Sequence, residues 1–410
     1  MTRRAVLALA LVLLAAPQGG ARAESVWEMG TPGEPLLALD AHALALGGAA
    51  EARWDLESGL PANPAQLPAL EGFTFSTVIQ LRRAWRDLGG GDTWDETRQA
   101  FPAFQVMMPL PRGLRLGLGY RADTRSRGSF TLPVDIGEVA YELDYYQEGG
   151  LHRFPLSLAW EPTDRLRLGL AASLLRGKLE QEWIWDFPGG SVYDNPDLNY
   201  RDRRARRLAD WHGTGAILGV QAKLPRGIQA SLRYETAADM EGEERVETAG
   251  VDATSTRPLS GHMPASWGAG LAAPVGDDLI VSLQWDYTDW DTYLSPVAAD
   301  PLEDVGRAAL GLEYFIRQER RRPLPPREIP VRVGLRLGRL PRRDPLTGER
   351  VAEMLLSLGT GVDVQEGRGS IDLALFWQRL TVDGGEGENR WGLALSLRTS
   401  EIWMKRTTPF

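Results

Sequence analysis

Residues 110–123 read LPRGLRLGLGYRAD, a tight turn followed by strictly alternating residues. One side of the alternation is apolar and the other mixes charge with glycine; the apolar set is Leu114, Leu116, Leu118 and Tyr120. A period of two indicates a β-strand, because successive side chains of a strand leave opposite faces. A soluble sandwich would bury the apolar side in its core, whereas a transmembrane barrel shows that side to lipid.

The N-terminus has the pattern of a secretory signal peptide. Arg3 and Arg4 precede an unbroken apolar run at residues 5–16, and Ala-Arg-Ala at 21–23 supplies a cleavage site between small residues. Such a leader is removed on export, and its apolar run is too short to span a membrane as a helix. We therefore expect an exported protein whose mature chain begins at Glu24.

The composition excludes several classes of protein. The chain has no cysteine, so it carries neither a disulfide framework nor thiolate metal sites. Removing the three arginines of the leader would take the formal net charge from −9 to −12, which disfavours nucleic-acid binding. No later stretch reaches the roughly 18 consecutive apolar residues of a transmembrane helix. Because no linker divides the chain, one large β-structure is predicted from residue 72 onward.

Period-two stretches recur to the end of this region as repeated hairpins. The pentapeptide LRLGL at 114–118 returns at 166–170, and the turn LPRG at 110–113 returns at 224–227. Fifteen candidate strands result, and assigning residues 137–147 to an external loop leaves 14, the even number that bacterial outer-membrane barrels require. The long connections then fall on one side of the barrel; they are 84–99, 122–152, 185–211, 240–262, 290–304, 341–350 and 381–389.

Several motifs in this order resemble the FadL-type long-chain fatty-acid transporters of the outer membrane. The first are LGGA at 46–49 and NPAQL at 63–67, just before the first strand. The others are PASWGAGL at 264–271 and PVRVGLRLG at 330–338. The resemblance implies a 14-stranded barrel with an N-terminal hatch folded into its lumen. It assigns 1–23 to the signal peptide, 24–71 to the hatch, with Asn63, Pro64 and Ala65 near its end, and 72–410 to the barrel.

The resemblance also implies a route for the transported molecule. Members of that family take up hydrophobic molecules near the third and fourth loops and release them sideways at a kinked third strand. By count the third strand is the one at 114–123, where Gly117 and Gly119 point inward, and glycine lets a strand bend or admit a ligand closely. The corresponding loops, 185–211 and 240–262, are unusually polar for an apolar entry groove.

Charged residues occupy the polar face of many strands and are predicted to face the lumen. One interpretation is a solvated or mutually paired interior that holds the hatch, and the other is an anionic pathway along the arginines. The residues are Arg115, Arg167, Arg233, Glu235, Asp286, Glu313, Arg332, Arg336 and Asp372.

The loop at 185–211 carries two further patterns. Its five arginines between 201 and 207 suit bidentate binding of lipopolysaccharide phosphates, with a solvated loop as the alternative. Clustered oxygen ligands at 194–202 suit calcium but lack the EF-hand order, so no metal site is assigned. The four histidines have no partners that mark a catalytic triad or dyad, so no enzyme, catalytic residue or cofactor is predicted.

These observations predict an all-β transmembrane antiparallel barrel of the bacterial outer membrane, monomeric and surrounded by lipid and lipopolysaccharide. The predicted function is passive uptake of hydrophobic small molecules such as long-chain fatty acids. Two alternatives stay open: a plugged structural or assembly barrel that binds a protein partner through its loops, and a water-filled general porin.

Overall fold

The structure is a computed structural model and describes residues 34–35, 37, 39–54, 60–70, 72–89, 92–136, 139–187, 203–248, 254–295, 302–318, 327–344, 347–364, 369–385 and 387–401. The predicted signal peptide, the oxygen-rich segment 194–202 and the C-terminal Phe410 lie outside these residues. None of the helices in the described ranges is long and apolar enough to cross a membrane.

The described residues form 17 strands in one antiparallel sheet. They are β1 (Glu34–Pro35), β2 (Phe73–Gly89), β3 (Asp92–Pro109), β4 (Leu114–Ile136), β5 (Val139–Thr163), β6 (Leu166–Asp186), β7 (Arg203–Lys223), β8 (Gln229–Glu235), β9 (Ala238–Thr248), β10 (Ser255–Met263), β11 (Ser266–Val275), β12 (Leu279–Thr288), β13 (Val305–Gln318), β14 (Arg327–Arg343), β15 (Arg350–Val364), β16 (Gly369–Val382) and β17 (Glu388–Glu401).

The sheet closes on itself as a 14-stranded barrel. The last strand, β17, pairs with β2 along its whole length, from Glu401↔Phe73 to Glu388↔Arg86. Strands β8 and β9 are two halves of one barrel strand, because β7 pairs with both of them. Strands β10 and β11 are two halves of the next barrel strand, because β10 pairs with β9 and β11 pairs with β8. Counting each of these pairs once and leaving out the two-residue β1 gives 14, so the predicted barrel and its strand number are confirmed.

The alternating sequence places apolar side chains outside and polar ones inside. Leu118 and Leu232 expose 57% and 63% of their surface on the outer face, whereas the neighbouring inward Gln221 and Ser231 are buried. An outward apolar band around a polar interior is the pattern of a barrel in lipid. The two copies of the Pro-Arg-Gly turn have the same backbone, because Arg112 and Arg226 both adopt positive φ (64° and 63°).

The strands extend further than the sequence predicts at the first two outer hairpins. The predicted connections 84–99 and 122–152 are wrong, because β2, β3, β4 and β5 run through them and leave only residues 90–91 and 137–138 between the strands. The predicted connection 240–262 is wrong as well, because β9 and β10 occupy most of it. The extensions are polar on their outer face, for example at Arg127 and Glu148. A strand that is polar outside and partly polar inside loses the apolar alternation, and its sequence then resembles a loop.

The described residues between β1 and the first barrel strand lie inside the barrel, and we call them the luminal segment (residues 37, 39–54 and 60–70). It contains the helix α1 (Ala41–Ala45), which Asp40 caps by accepting a hydrogen bond from the backbone of Ala43. It also contains a 3₁₀ helix (Pro64–Ala69) that Asn63 caps in the same way. Helix α1 contacts β14–β17 and the 3₁₀ helix contacts β4–β7, so the segment spans the lumen.

Candidate functional site

The luminal segment lies directly against glycines on the inner face of the wall. A Cβ atom on Gly169 would come within 3.0 Å of the backbone of Pro64 and Ala65, and one on Gly334 would meet the backbone of Leu46 and Gly47 equally closely. Only a residue without a side chain fits at such an approach. Three more wall glycines lie close to the segment: Gly219 faces the Asn63 side chain, Gly311 faces Leu46 and Gly359 faces the Cβ of Ala45.

Polar side chains of the wall also bind the backbone of the luminal segment. Gln80 donates to the Leu37 carbonyl at 2.8 Å, and Ser357 donates to the Ala45 carbonyl at 3.1 Å. On the opposite wall Gln221 donates to the Glu51 carbonyl at 2.7 Å. Because buried backbone carbonyls need donors, these contacts hold the segment at several heights of the barrel.

A buried ion cluster links the luminal segment to the half of the barrel that ends in the short turns. Glu313 forms ion pairs with Arg53 of the luminal segment and with Arg332 of β14, each with a nitrogen–oxygen distance of 2.6 Å. Arg332 also donates to Asp372 at 2.7 Å, and His42 of α1 lies 3.3 Å from Glu313. The cluster lines a polar cavity of about 230 Å³ toward the short-turn end of the barrel.

A second ion cluster crosses the other half of the lumen, toward the long outer hairpins, and begins at β4. Asp123 accepts hydrogen bonds from Arg121 and Arg153, each at 2.7 Å. Arg153 is nearly fully buried and also pairs with Glu235 of β8. The β4, β5 and β8 strands are therefore joined by charges above the level of the luminal 3₁₀ helix.

This second ion cluster ends on the luminal segment. Arg233 donates to Glu51 at 2.7 Å and to Asp286 of β12 at 2.8 Å. Glu51 lies on the luminal segment rather than on a spanning strand, and burial raises the pKa of its carboxyl while the Arg233 guanidinium opposes that shift. Both halves of the lumen thus hold the segment through a carboxylate–arginine pair.

The structure places all nine charges that the sequence predicts for the lumen on inner faces, and each has a protein partner. Arg115 donates to the Leu70 carbonyl at 3.0 Å, Arg167 to the Trp54 carbonyl at 2.7 Å, and Arg336 to Glu353 at 2.5 Å. The other six belong to the two ion clusters described above. Because every arginine of the set is engaged, the geometry favours the paired interior over an anionic pathway.

The lumen retains a cavity of about 270 Å³ beside the luminal segment. Its walls combine apolar side chains with the outer ion pairs, and the apolar part includes Leu39, Ala50, Leu60, Met263 and Trp290. A smaller cavity of about 40 Å³ lies next to it and reaches the inner side of the wall at Gly119 and Gln105. Apolar surface with a few polar groups is typical of small-molecule sites.

The wall beside the smaller cavity is incomplete, because β3 and β4 separate. Their pairing runs from Pro109↔Arg115 to Ala103↔Arg121 and ends there, although both strands continue for many residues. Beyond this point the described partners of β4 are β5 and the two residues of β1, which pair at Thr124 and Arg125. The barrel thus has a lateral separation at its second and third strands.

Irregular residues cluster at the height where the separation begins. The β2–β3 register shifts between Val78 and Gln80, next to Pro102, and the β4–β5 register shifts between Ala122 and Thr124. Pro155 lies opposite Gly119, and the β4–β5 pairing is missing at Gly119 and Tyr120. Proline cannot donate to a ladder, and a bulge bends the strand that contains it.

The two glycines predicted for a kink differ in their surroundings. Gly117 pairs regularly with Met107 and Ser157, and it faces the Leu67 side chain of the luminal segment. Gly119 pairs with Gln105 but lacks a ladder partner on β5. Close packing against Leu67 therefore explains why a glycine occupies position 117. A kink of the strand stays a prediction, and it concerns Gly119.

Pro155→Ala is expected to restore a donor opposite Gly119 and to make this part of β4 more rigid. A regained hydrogen bond of about 1 kcal/mol should slow amide exchange around Gly119 and Tyr120 roughly fivefold. Hydrogen–deuterium exchange with mass spectrometry checks this, with Pro330→Ala as control, since Pro330 lies in a continuous ladder opposite Phe315. Equal changes in both variants would contradict the assignment of the interruption to Pro155.

Three arginines of the arginine-rich segment form ion pairs with glutamates. Within its described part, Arg204 pairs with Glu182, Arg206 with Glu180, and Arg207 with Glu244. These residues lie on β7, where the sequence predicts a loop. Because the three arginines already pair with glutamates, lipopolysaccharide binding by this segment stays a prediction.

Three carboxylates, Asp289, Asp291 and Asp304, approach one another at the outer ends of β12 and β13. Asp304 already accepts hydrogen bonds from the Tyr287 hydroxyl and the Asp291 backbone. We assign no cation to this group.

Several residues that pair with the predicted lumen charges are not predicted from the sequence. Arg153 and Glu353 lie on the polar faces of β5 and β15, so the same period-two argument could have identified them. Glu51, Arg53 and His42 belong to the luminal segment, which has no periodic pattern. Their position opposite the wall charges follows only from the path of the chain through the barrel.

No family model matches the sequence, and no curated protein matches it. Among solved structures, a Pseudomonas aeruginosa FadL homologue superposes with a TM-score of 0.63 at 14% identity, covering 91% of this chain and 100% of that chain. The Ralstonia pickettii toluene transporter TbuX gives 0.57 at 15% identity, with 92% and 100% covered. The Pseudomonas putida toluene transporter TodX gives 0.57 at 16% identity, with 90% and 99% covered. The predicted resemblance is confirmed at the level of the fold.

Proposed function

We propose that this chain, which has the fold of the FadL-type outer-membrane transporters, carries small hydrophobic molecules passively across the bacterial outer membrane. The observation that supports this most is the separation of β3 from β4 beside the luminal cavities. We infer that this separation is where the luminal cavities communicate with the barrel exterior, at the height of the apolar band. We further propose that the barrel acts as a monomer in contact with lipid and lipopolysaccharide.

The route that we propose leaves the barrel sideways because the straight route is filled. The luminal segment packs against wall glycines on both sides of the lumen and is held by two ion clusters. A hydrophobic molecule that exits through the wall enters lipid directly and avoids the polar cavity near the short turns. Transfer of apolar surface out of water favours such a path without any energy source.

The proposed substrates are uncharged or amphipathic molecules small enough for the luminal cavity. Two of the structural neighbours are named as toluene transporters and one as a FadL homologue, so monoaromatic hydrocarbons and long-chain fatty acids are the two classes to test first. The apolar part of the cavity, with Leu60 and Trp290, suits either a ring or an acyl chain. The charges of the cavity are already paired, so they offer no dedicated carboxylate site.

Gly119→Leu is expected to lower the uptake of such a substrate at least tenfold while leaving the barrel folded. The added side chain would fill the small cavity of about 40 Å³ that Gly119 lines at the separated wall. Uptake of radiolabelled toluene and oleate by cells that express the variant, in a strain without a comparable channel, measures the effect. Gly215→Leu is the matched control, because Gly215 lies in β7 with its nearest neighbour at 3.6 Å and does not line that cavity.

The two variants also distinguish the lateral route from a route through the lumen. Unchanged uptake in Gly119→Leu, with normal heat-modifiable mobility of the barrel on gels, would contradict the lateral exit. Equal loss in both variants would instead indicate a general effect of bulk inside the barrel.

A general porin makes a different prediction for the wild-type protein. The luminal segment and its ion clusters leave no wide aqueous path in the described residues, so we expect no sustained ohmic conductance in planar bilayers. A stable conductance that scales with salt concentration would favour the porin instead, because water-filled barrels conduct in proportion to the bulk electrolyte.

A further inference from the structure

The outer face of β4, β5 and β6 changes from apolar to charged at one level. On the side of the short turns, Leu118, Phe154 and Leu174 are exposed on that face. At the level of the change, the centre of the Tyr120 ring lies 5.5 Å from that of Phe154, and the Tyr120 hydroxyl shares a hydrogen bond of 3.0 Å with Nδ1 of His152. A tyrosine with an apolar body and a bound hydroxyl is typical of a membrane–water interface. The edge of the lipid layer therefore lies at Tyr120 and His152 on this side of the barrel.

The first charged side chains beyond this level on the outer faces of β4 and β6 are all basic, and we call them the basic patch (Arg125, Arg176 and Lys178). Strand pairing brings them together. Arg125 lies opposite Gly150 of β5, and Gly150 lies opposite Lys178 of β6. Arg176 precedes Lys178 by two residues, so both point to the same side of β6. Because directly opposite residues share a face of the sheet, the three cations border a position that has no side chain.

The basic patch is only weakly neutralised by neighbouring acids. Within the described residues, neither of its two arginines forms an ion pair. Lys178 lies 3.9 Å from Glu180 and exposes 58% of its side chain, and Glu180 pairs more closely with Arg206, at 2.5 Å. An exposed pair at the longer distance contributes little, so Lys178 keeps most of its charge available. Asp210 lies opposite Lys178 on β7, on the side away from Arg125.

Phosphate is the anion that matches this arrangement. Arginine binds phosphate oxygens in a bidentate way, and lysine binds them as a point charge. The backbones of β4 and β6 are two strand spacings apart, about 10 Å, so their long side chains can reach a single group between them. Basic side chains just outside a hydrophobic band are typical of sites for anionic lipid headgroups. In the outer leaflet of the bacterial outer membrane that headgroup is the phosphorylated lipid A of lipopolysaccharide, whose acyl chains would cover the apolar surface at Phe154 and Leu174.

We propose that the basic patch binds a phosphate group of lipid A on the outside of the barrel, with the acyl chains of the same molecule against the apolar band. The site rests on the proposed contact of the barrel with lipopolysaccharide and supplies the residues for that contact. It differs from the predicted contact at the arginine-rich segment, where Arg204, Arg206 and Arg207 already pair with glutamates. The basic patch faces away from the lumen, so the site does not depend on what the barrel transports.

Two triple variants of the processed protein, purified in detergent, test the site. The site variant replaces the whole basic patch: Arg125→Gln, Arg176→Gln and Lys178→Gln. The control variant also removes three exposed cations, but in the short turns at the opposite end of the barrel: Arg112→Gln, Arg165→Gln and Arg226→Gln. All six side chains lie outside the lumen, so we expect both variants to fold, and heat-modifiable mobility on gels checks this.

Native mass spectrometry during a titration with purified lipid A measures the dissociation constant. We expect the site variant to bind lipid A about tenfold more weakly than the wild-type protein, because charge-assisted contacts to phosphate are lost, and the control variant to bind within about twofold of the wild type. The wild-type protein should also lose about tenfold in affinity when the phosphates of lipid A are removed, a comparison that needs no variant.

Equal affinities of the wild-type protein and the site variant would overturn the proposal, as would equal losses in the two variants. Undiminished binding of lipid A without its phosphates would also overturn it. Displacement of lipid A by an equal concentration of inorganic phosphate would overturn it by assigning the basic patch to a free anion. Uptake of toluene and oleate is measured separately, so a barrel that transports them without binding lipid A would contradict this site and leave the proposed transport intact.

Discussion

Gly334→Ala is expected to displace the luminal segment and to turn the closed barrel into one that conducts ions. The new methyl group would come within 3.0 Å of the backbone of Leu46 and Gly47, which cannot rotate away as a side chain could. Overpacking of this kind costs about 1–3 kcal/mol, and removing the segment relieves it. Planar-bilayer recordings should therefore show sustained conductance that the wild-type protein lacks.

The control for this experiment is Gly215→Ala. Gly215 also faces inward, but its added methyl group would lie 3.6 Å from the nearest atoms, an ordinary contact distance. We expect this variant to remain closed. Gly169→Ala, whose methyl group would meet the backbone of Pro64 and Ala65, should reproduce the conductance from the other side of the lumen. Closed barrels in both Gly334→Ala and Gly169→Ala would show that the segment does not depend on close packing against the wall.

Glu313→Gln is expected to lower the free energy of unfolding by about 3–5 kcal/mol, because it leaves buried arginines without their carboxylate. The side chains of Glu313, Arg53 and Arg332 are nearly inaccessible to solvent, with 1%, 2% and 5% of their surface exposed. Water therefore screens the remaining charges very little. Urea unfolding of the barrel in lipid vesicles, followed by tryptophan fluorescence, measures the loss.

Two further variants separate the buried cluster from ordinary surface charge. Glu328→Gln should cost at most about 1 kcal/mol, because the Glu328–Arg317 pair is more than half exposed. The double variant Arg53→Met with Glu313→Gln should recover part of the lost stability, since it removes one of the orphaned charges. If Glu313→Gln and Glu328→Gln cost the same, the cluster would not anchor the segment.

The barrel itself could be predicted from the sequence because the patterns that define it lie within single strands and turns. Each strand carries its own alternation, as in the LRLGL repeats at 114–118 and 166–170, and the repeated Pro-Arg-Gly turn has the same positive φ in both copies. Lipid outside and polar groups inside impose the same pattern on every strand. The prediction failed at 122–152, where the sheet rises beyond the apolar band and the pattern no longer distinguishes strand from loop.

Only part of the candidate site could be predicted from the sequence. The inward charges follow from strand parity, but their partners Glu51 and Arg53 lie on a segment without periodicity. Gly117 and Gly169 occupy equivalent places in the repeated pentapeptide, and both face the luminal segment in the structure. Pro102 and Pro155 were the available signals for the separated wall, since a proline inside a strand marks an interrupted ladder.

The barrel, the number of its strands and the inward side of each strand can be predicted from the amino-acid sequence. Those features depend on turn chemistry and on a period-two pattern within each strand. Three features emerge only in the folded barrel: glycines meet the luminal segment, the inward arginines are paired, and β3 and β4 separate beyond Arg121. Each of these depends on residues far apart in the chain, which only the closed barrel brings within contact distance.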